Sequence, residues 1–421
     1  MSRVRDVLTV RGRAFVAAGL TLVLSGVALG FADITRIGVL LTGLPLLAAL
    51  GMHRSAPSVT ITRAVHPARL TVDQPAGVEI VLDNTSARRT PVQLVEERLD
   101  PVLGDRPRFV LPRMEPRERR EVTYSIRSHV RGRHHLGPLA LRVRDPFGLA
   151  TAATVLPGTT EVTVLPRVEA LGGGHPRGDG VGAEGAIPHM VALHGEDDVA
   201  IRTYRDGDDL RRIHWPATAH RGELMVRQED RPARRRAVLV LDSRSSGHRG
   251  SGASGSFEWA VTAVASMAVH LTGQSYAVHL VSTETAADGR AGETIDVDTA
   301  LDALAVAEPS APQQIDQVLH AAHPLTSAGG LVIAVMTDHD EDTLRRVASL
   351  RQPGGTGLLL LVEAATYAGV PPPSSDTRAE ALARVVSSAG WSAAVVRSGA
   401  DLGTVWDALT AYSGISMAVA T

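Results

Sequence analysis

This chain of 421 residues contains no cysteine, and its 43 basic side chains are all arginine; lysine is absent. The first absence excludes disulfides, thiolate nucleophiles and cysteine-type zinc sites, and it is compatible with a reducing compartment. The second removes the P-loop lysine, Schiff-base chemistry and lysine general bases, so the chain is not an ordinary P-loop ATPase. Aromatic residues make up only 3% of the sequence, too few for an array that stacks single-stranded bases. Neither sign of charge dominates, with 43 basic against 45 acidic residues, so no global affinity for polyanions is implied and no nucleic-acid partner is expected.

What the chain does have is two apolar runs close together near its start, Ala14–Phe31 and Ile37–Met52. Each approaches the length that crosses ~30 Å of hydrocarbon at 1.5 Å per residue. The intervening stretch carries Asp33 and Arg36, which predicts a helical hairpin turning over Phe31–Arg36. Arg3, Arg5, Arg11 and Arg13 precede the first run and His53–Arg54 follow the second. Flanking positive charge stays inside, so the N-terminus and the soluble part are expected on the cytoplasmic side of a plasma membrane. Cleavage of the first run as a signal peptide, near Ala28–Gly30, is the rival reading and would make this a secreted or surface adhesion protein.

From Ser58 to about Pro166 the apolar residues alternate with polar ones: Val59/Ile61, Val78/Ile80/Leu82, Val122/Tyr124/Ile126, Leu139/Leu141/Val143 and Val162/Val164. Period two, broken by turn residues, predicts an antiparallel β-sandwich. Arg106–Arg144 holds eleven arginines, read as a solvated basic face, close to the membrane. A Gly-rich stretch from Leu171 to Gly185 reads as a linker. After Arg236, buried apolar runs alternate with segments of helical period. Ala237–Leu241, Tyr276–Val281, Leu331–Met336, Leu358–Val362 and Trp391–Val396 are the strand candidates. Such alternation predicts a doubly wound α/β domain around a parallel sheet. The expected division is therefore a transmembrane hairpin anchor at 1–54, a β-sandwich at 55–168, a linker and dense polar segment at 169–235, and an α/β domain at 236–421.

The dense segment runs from Tyr204 to Asp230. Its Asp206-Gly207-Asp208 is a turn in which Asp208 or Asp209 can cap a following helix, and the two carboxylates can pair with Arg211 or Arg212. Trp215, before Pro216, is expected as a packed anchor. Carboxylates together with His214 and His220 also admit a hydrolase reading on Asp208, Asp209 and His214, but architecture or docking is favoured over catalysis.

Tyr204, Gly207-Asp208-Asp209, Arg211, Ile213, His214, Trp215, Ala219 and Leu224–Val226, with Arg131-Gly132-Arg133, Leu136-Gly137-Pro138 and Asp145-Pro146-Phe147-Gly148-Leu149, resemble the signature of the bacterial family called domain of unknown function 58. The layout of anchor, β domain and α/β domain fits as well; His220 departs from the arginine more usual there. The resemblance implies a von Willebrand factor A-like α/β domain and a MoxR-type AAA+ ATPase as partner, with Tyr204 to Ala219 as the docking signature. It also implies a divalent cation such as Mg²⁺ on an Asp-x-Ser-x-Ser motif with a later Thr and Asp. Here the motif reads Asp242-Ser243-Arg244-Ser245-Ser246, so the metal candidates Asp242, Ser246 and Asp338 form a degenerate set. Asp242 and Asp338 both follow strand candidates and are expected at the sheet's carboxyl edge, where the Arg244 guanidinium can take the cation's place and pair with them. The function expected is a membrane-anchored, non-enzymatic interaction protein engaged in assembly or chaperone-like work.

Two other patterns carry little. Gly180–Gly185 has dinucleotide spacing but no strand leading into it. His129, His134 and His135 suit zinc only if they converge, and adjacent strand positions face opposite ways.

Overall fold

A computed structural model describes residues 7–54, 59–172, 200–204, 213–228, 235–327, 329–370, 377–411 and 417–420. They fall into two compact units, Met1–Arg167 with Leu301–Ala307, and Val168–Ala300 with Glu308–Thr421. The Gly180–Gly185 pattern lies outside the described residues.

The first unit opens with two apolar helices, α1 (Val10–Leu29) and α2 (Ala32–Arg54). Both are long and apolar enough to cross a membrane. The connection is shorter than the Phe31–Arg36 turn the charges suggested. Gly30 adopts the left-handed conformation and stops α1, where glycine carries no steric penalty. The chain re-enters helix at Ala32, and Asp33 lies in the first turn of α2, the end that favours negative charge. Arg36 pairs with Asp33 at 2.9 Å on this exposed turn. Glycine lets the helices approach closely: a Cβ on Gly19 would stand 2.8 Å from the Gly38 carbonyl oxygen, and one on Gly26 would stand 2.7 Å from the Thr35 nitrogen. Leu24, Val27 and Leu47 point outward and are exposed.

The rest of this unit is β structure: β1 (Val59–His66), β2 (Arg69–Thr71), β3 (Ala76–Asn84), β4 (Gln93–Leu99), β5 (Arg108–Leu111), β6 (Arg119–Ile126), β7 (Gly132–Arg144), β8 (Thr151–Leu156) and β9 (Thr160–Leu165). One sheet has the order β1-β3-β6, and the other β2-β9-β7-β4-β5, with β8 pairing residues 139–144 of β7. All the alternating pairs read from the sequence fall on β1, β3, β6, β7 and β9. Their inward residues share one buried cluster, with Val78, Ile80 and Leu82 from the first sheet meeting Leu139, Leu141, Val162 and Val164 from the second.

A charged group is buried beside that cluster. Arg63 on β1 approaches Glu97 on β4 at 2.6 Å, both side chains almost fully buried; the approach is an ion pair rather than an aligned hydrogen bond. Tyr124 donates its hydroxyl to the other Glu97 oxygen at 2.7 Å, and Arg63 donates to Thr160 Oγ1 at 3.2 Å. The pair therefore ties one sheet to the other. Gly137 leaves room for it: its φ is +95°, and a Cβ there would stand 3.0 Å from Arg63 Nη2 and 2.5 Å from the Gly158 carbonyl oxygen.

The second unit carries β10 (Ala200–Thr203), α3 (Trp215–Arg221) and β11 (Met225–Gln228), then β12 (Arg236–Leu241), α4 (Ser256–Gly273), β13 (Ala277–Val281), α5 (Thr283–Ala287), the start of α6 (Val297–Ala305, grouped with the first unit from Leu301), α7 (Ile315–Thr326), β14 (Leu331–Thr337), α8 (Glu341–Ala348), β15 (Thr356–Val362), α9 (Arg378–Ser388), β16 (Ser392–Val396), α10 (Leu402–Ala411) and β17 (Met417–Ala420). Six strands form a sheet in the order β13-β12-β14-β15-β16-β17, and every pairing within it is parallel. Val238, Val240, Val332 and Ala334 pack on one face against α7, α8 and α9. Their neighbours Leu239 and Ile333, equally buried, point to the opposite face, where α4 lies on β12 and β14. Because both faces are covered, the strands read as unbroken apolar runs.

Candidate functional site

Parallel strands bring the residues that follow them to one edge of the sheet. Asp242 follows β12, Thr337 ends β14 with Asp338 next, Glu363 follows β15 and Arg397 follows β16. The sequence-derived placing of Asp242 and Asp338 at one edge is therefore what the topology produces.

Asp242 is fully buried, and its carboxylate is saturated from within the chain. Arg244 donates Nε to Oδ1 at 2.9 Å and Nη2 to Oδ2 at 2.8 Å, the paired geometry in which a guanidinium matches a carboxylate best. The Arg244 backbone N–H adds a bond to Oδ1 at 3.1 Å. Thr337 contributes its N–H at 3.2 Å and its hydroxyl at 3.0 Å to Oδ2. Burial works against the charge on Asp242, but the Arg244 bonds and attraction outweigh it and hold this carboxyl below its usual range. Arg244 faces the same desolvation, and pairing with Asp242 keeps the guanidinium above its usual value.

The second carboxylate of Arg244 is Asp340 rather than Asp338. Its Nη1 lies 3.5 Å from Asp340 Oδ2 and donates to Thr343 Oγ1 at 3.1 Å, while Thr343 donates to Asp340. Asp338 instead accepts from the Ala364 N–H at 3.3 Å, and burial raises its carboxyl above the usual range. Ser246 Oγ is buried without a hydrogen-bond partner among the described residues. On the far side of Asp242, burial lowers the His248 pKa and favours the neutral ring. Nε2–H then donates to the Asp242 carbonyl at 2.7 Å, leaving Nδ1 to accept from Ser256 at 3.0 Å; the tautomer follows from that network.

This donor set does not fit the cation that the resemblance implies. A divalent ion on Asp242 would have to displace a guanidinium that already holds both of its oxygens. Among the described residues no three His, Asp or Glu side chains converge as ligands for a metal. The histidines weighed for zinc stay apart: His129 pairs with Asp73, and His134 lies 3.2 Å from Asp100.

A second ion-paired group occupies the same edge. Arg397 binds Glu363 at 2.8 Å and Glu380 at 2.7 Å. The sequence reading missed it together with Asp340 and Thr343, although Glu363 follows the apolar run Leu358–Val362 just as Asp242 follows Ala237–Leu241.

The signature segment folds as a small layer of its own. β10 pairs antiparallel with β11, Tyr204 N donates to the Leu224 carbonyl, and Ile213 bridges to Val226. Gly207, Asp208, Asp209 and Arg211 lie outside the described residues. Helix α3 is capped by His214, whose Nδ1 accepts from the Ala217 N–H at 3.1 Å; the caps expected of Asp208 or Asp209 lie outside the described residues. Trp215 is not the packed anchor expected of it: it is 66% exposed. It stands at the first turn of a seven-residue helix, before Pro216. Ala219 is also exposed on this helix.

These elements define an α/β unit with a β-rich unit and two apolar helices before it. Residues 200–351 match the model of the family described as protein of unknown function DUF58, which supports the family read from the signature. The match takes in the β10–α3–β11 layer and the whole Asp242 centre. No curated protein matches the chain. Partial likenesses to solved structures include the CARDB domain of the PF1109 protein from Pyrococcus furiosus, at 18% identity and TM-score 0.20, covering 26% of this chain and 94% of that domain. An alkylpurine DNA glycosylase of Pseudomonas fluorescens bound to DNA containing an abasic site analogue matches at 18% identity and TM-score 0.17, over 30% and 39% of the two chains. A β-glucosidase of Listeria innocua matches at 14% identity and TM-score 0.16, over 26% and 16%.

Proposed function

We propose that this protein is a membrane-anchored, non-enzymatic interaction protein that docks a MoxR-type AAA+ ATPase in assembly or chaperone-like work. In this reading the helix pair crosses the plasma membrane with both ends inside, following the arginines on its flanks. The β unit is a β-sandwich spacer, and the α/β unit is a von Willebrand factor A-like head held on the cytoplasmic side. The observation that carries the reading is the closure of Asp242 by Arg244. The position where such a head would hold a reactive or ligand-binding cation is filled by its own guanidinium, which favours a surface that grips over a centre that reacts. The exposed Trp215 supports docking through the signature, since exposed indoles are the side chains most often found as anchors at interfaces. The partner's identity rests on the family resemblance.

The test is affinity capture of the detergent-solubilised full chain from its own cells, with and without nucleotide. A MoxR-type AAA+ subunit is expected in the eluate, and it should be lost on Trp215→Ala or Asp208→Ala. Absence of any AAA+ subunit from the wild-type eluate overturns the partner. Intact capture with a lost hydrolytic turnover in Asp208→Asn, Asp209→Asn or His214→Ala would establish the hydrolase instead. Digestion of the soluble part by protease added to intact cells would establish the exported adhesion protein.

A further inference from the structure

The turn Asp145–Leu149 is welded to the start of α1. Thr9 N donates to the Leu149 carbonyl at 2.9 Å, and Thr9 Oγ1 donates to the Gly148 carbonyl at 2.7 Å. Leu8 bridges to Ala150, and Thr151 N donates to the Val7 carbonyl at 2.8 Å. Gly12 permits the approach, because a Cβ at that position would collide with the Leu149 carbonyl oxygen. The turn is itself rigid. The buried carboxylate of Asp145 accepts from Phe147 N at 2.9 Å and from Ala150 N at 2.5 Å, and Gly148 N closes on the Asp145 carbonyl at 3.0 Å. All this ordering presents a phenylalanine outward: Phe147 is 64% exposed.

Position relative to a bilayer follows from length. The 20 residues of α1 rise about 30 Å, the thickness of the hydrocarbon core. If α1 spans, its first turn stands at the boundary, and Phe147, two residues from Leu149, lies within about 10 Å of Thr9 by chain length. That is the depth of the headgroup layer, where aromatic rings settle. Arg11, Arg13 and Arg144 are exposed around the same point, a charge pattern suited to anionic headgroups.

We propose that the Asp145–Leu149 turn is a lipid-contacting wedge, with Phe147 seated at the headgroup–acyl boundary of the membrane that α1 enters. The wedge fixes the depth and tilt of the β unit against the bilayer. The inference rests on the membrane-anchored reading, and the test separates the two. The chain has no cysteine, so Phe147→Cys and Leu24→Cys each take one bimane label. Each labelled full chain is reconstituted into phosphatidylcholine–phosphatidylglycerol vesicles with ordinary or brominated acyl chains. Quenching by brominated lipid is expected at both positions, with the loss at 147 roughly half that at 24 because it sits at the boundary. Quenching at 24 with none at 147 overturns the wedge and leaves the anchor standing. No quenching at either position overturns the anchor and the wedge with it.

Discussion

Two buried arginine–carboxylate pairs, one in each unit, are nearly alike in burial and opposite in what they organise. Arg63 and Glu97 come from different strands and different sheets, and the Tyr124 hydroxyl completes their cluster. Burial and the bond to Glu97 raise the Tyr124 pKa, so the hydroxyl stays a donor. Arg244 and Asp242 are two residues apart, and their cluster opens outward through Asp340, whose side chain is 40% exposed. The first pair can form only when the two sheets have met, so it reports on tertiary assembly. The second forms locally once β12 is in place and occupies the spot where ligands of open α/β sheets bind. Buried ion pairs of similar appearance thus do different work according to the sequence separation of their partners.

Variants can sharpen that contrast. The largest effect is expected from Glu97→Ala, which leaves Arg63 buried without its carboxylate. A loss of about 3–5 kcal/mol in chemical denaturation of the full chain is expected, because breaking one side of such a pair strands a charge. The double change Arg63→Met with Glu97→Leu should recover most of that loss, since apolar replacement of both partners is often neutral. A full loss persisting in the double variant would show that packing rather than charge is at stake.

Arg244→Ala is expected to cost somewhat less, toward the lower end of about 3–5 kcal/mol, because Thr337 still donates two bonds to Asp242. Its pH dependence distinguishes it. In the wild type the folded pKa of Asp242 lies below its unfolded value. The stability from its charge is therefore present above about pH 3.9 and lost as pH falls through the folded value. Without Arg244, burial dominates and raises the folded pKa. The deficit of the variant should be full at neutral pH and shrink toward about pH 4, as the stranded carboxyl takes up a proton. Unfolding curves across that range read it directly, and a deficit independent of pH would contradict the charge argument.

Gly137→Ala comes next. Its left-handed φ and its closeness to Arg63 predict a loss of about 1–3 kcal/mol, measured by thermal unfolding. Trp215→Ala should change stability least, within about 0.5 kcal/mol as for an exposed side chain, while abolishing AAA+ capture. A large loss of stability in that variant would mean that the indole packs after all.

How far the sequence could be read follows the same division. Strands with clean alternation, such as Val78/Ile80/Leu82, and strands written as apolar runs, such as Leu358–Val362, are found where periodicity places them. β4 escaped because its interior holds Glu96 and Glu97, which read as solvent-facing until Arg63 is known to stand opposite. α6 and α7 went unread although Ala300, Leu301 and Leu304, and then Ile315, Val318, Leu319 and Ala322, stand at helical spacing on their buried sides. At the edge, the pairing of Arg244 with Asp242 was legible because motif spacing joins them. Asp340 and Thr343 were not, because only the turn into α8 brings them within reach of Nη1. Trp215 misled for a simpler reason: size alone argued for burial, and the ring is exposed.

The central claim is that the Asp242 centre is closed by its own arginine, and thermal unfolding of the purified full chain in detergent, in millimolar Mg²⁺ against a chelator, tests it most directly. The account predicts superimposable curves. A rise in Tm of several degrees with Mg²⁺, such as saturation of a native-state site worth about 2.7 kcal/mol at a hundred times its Kd would give, would show that a cation displaces Arg244 and would contradict the account.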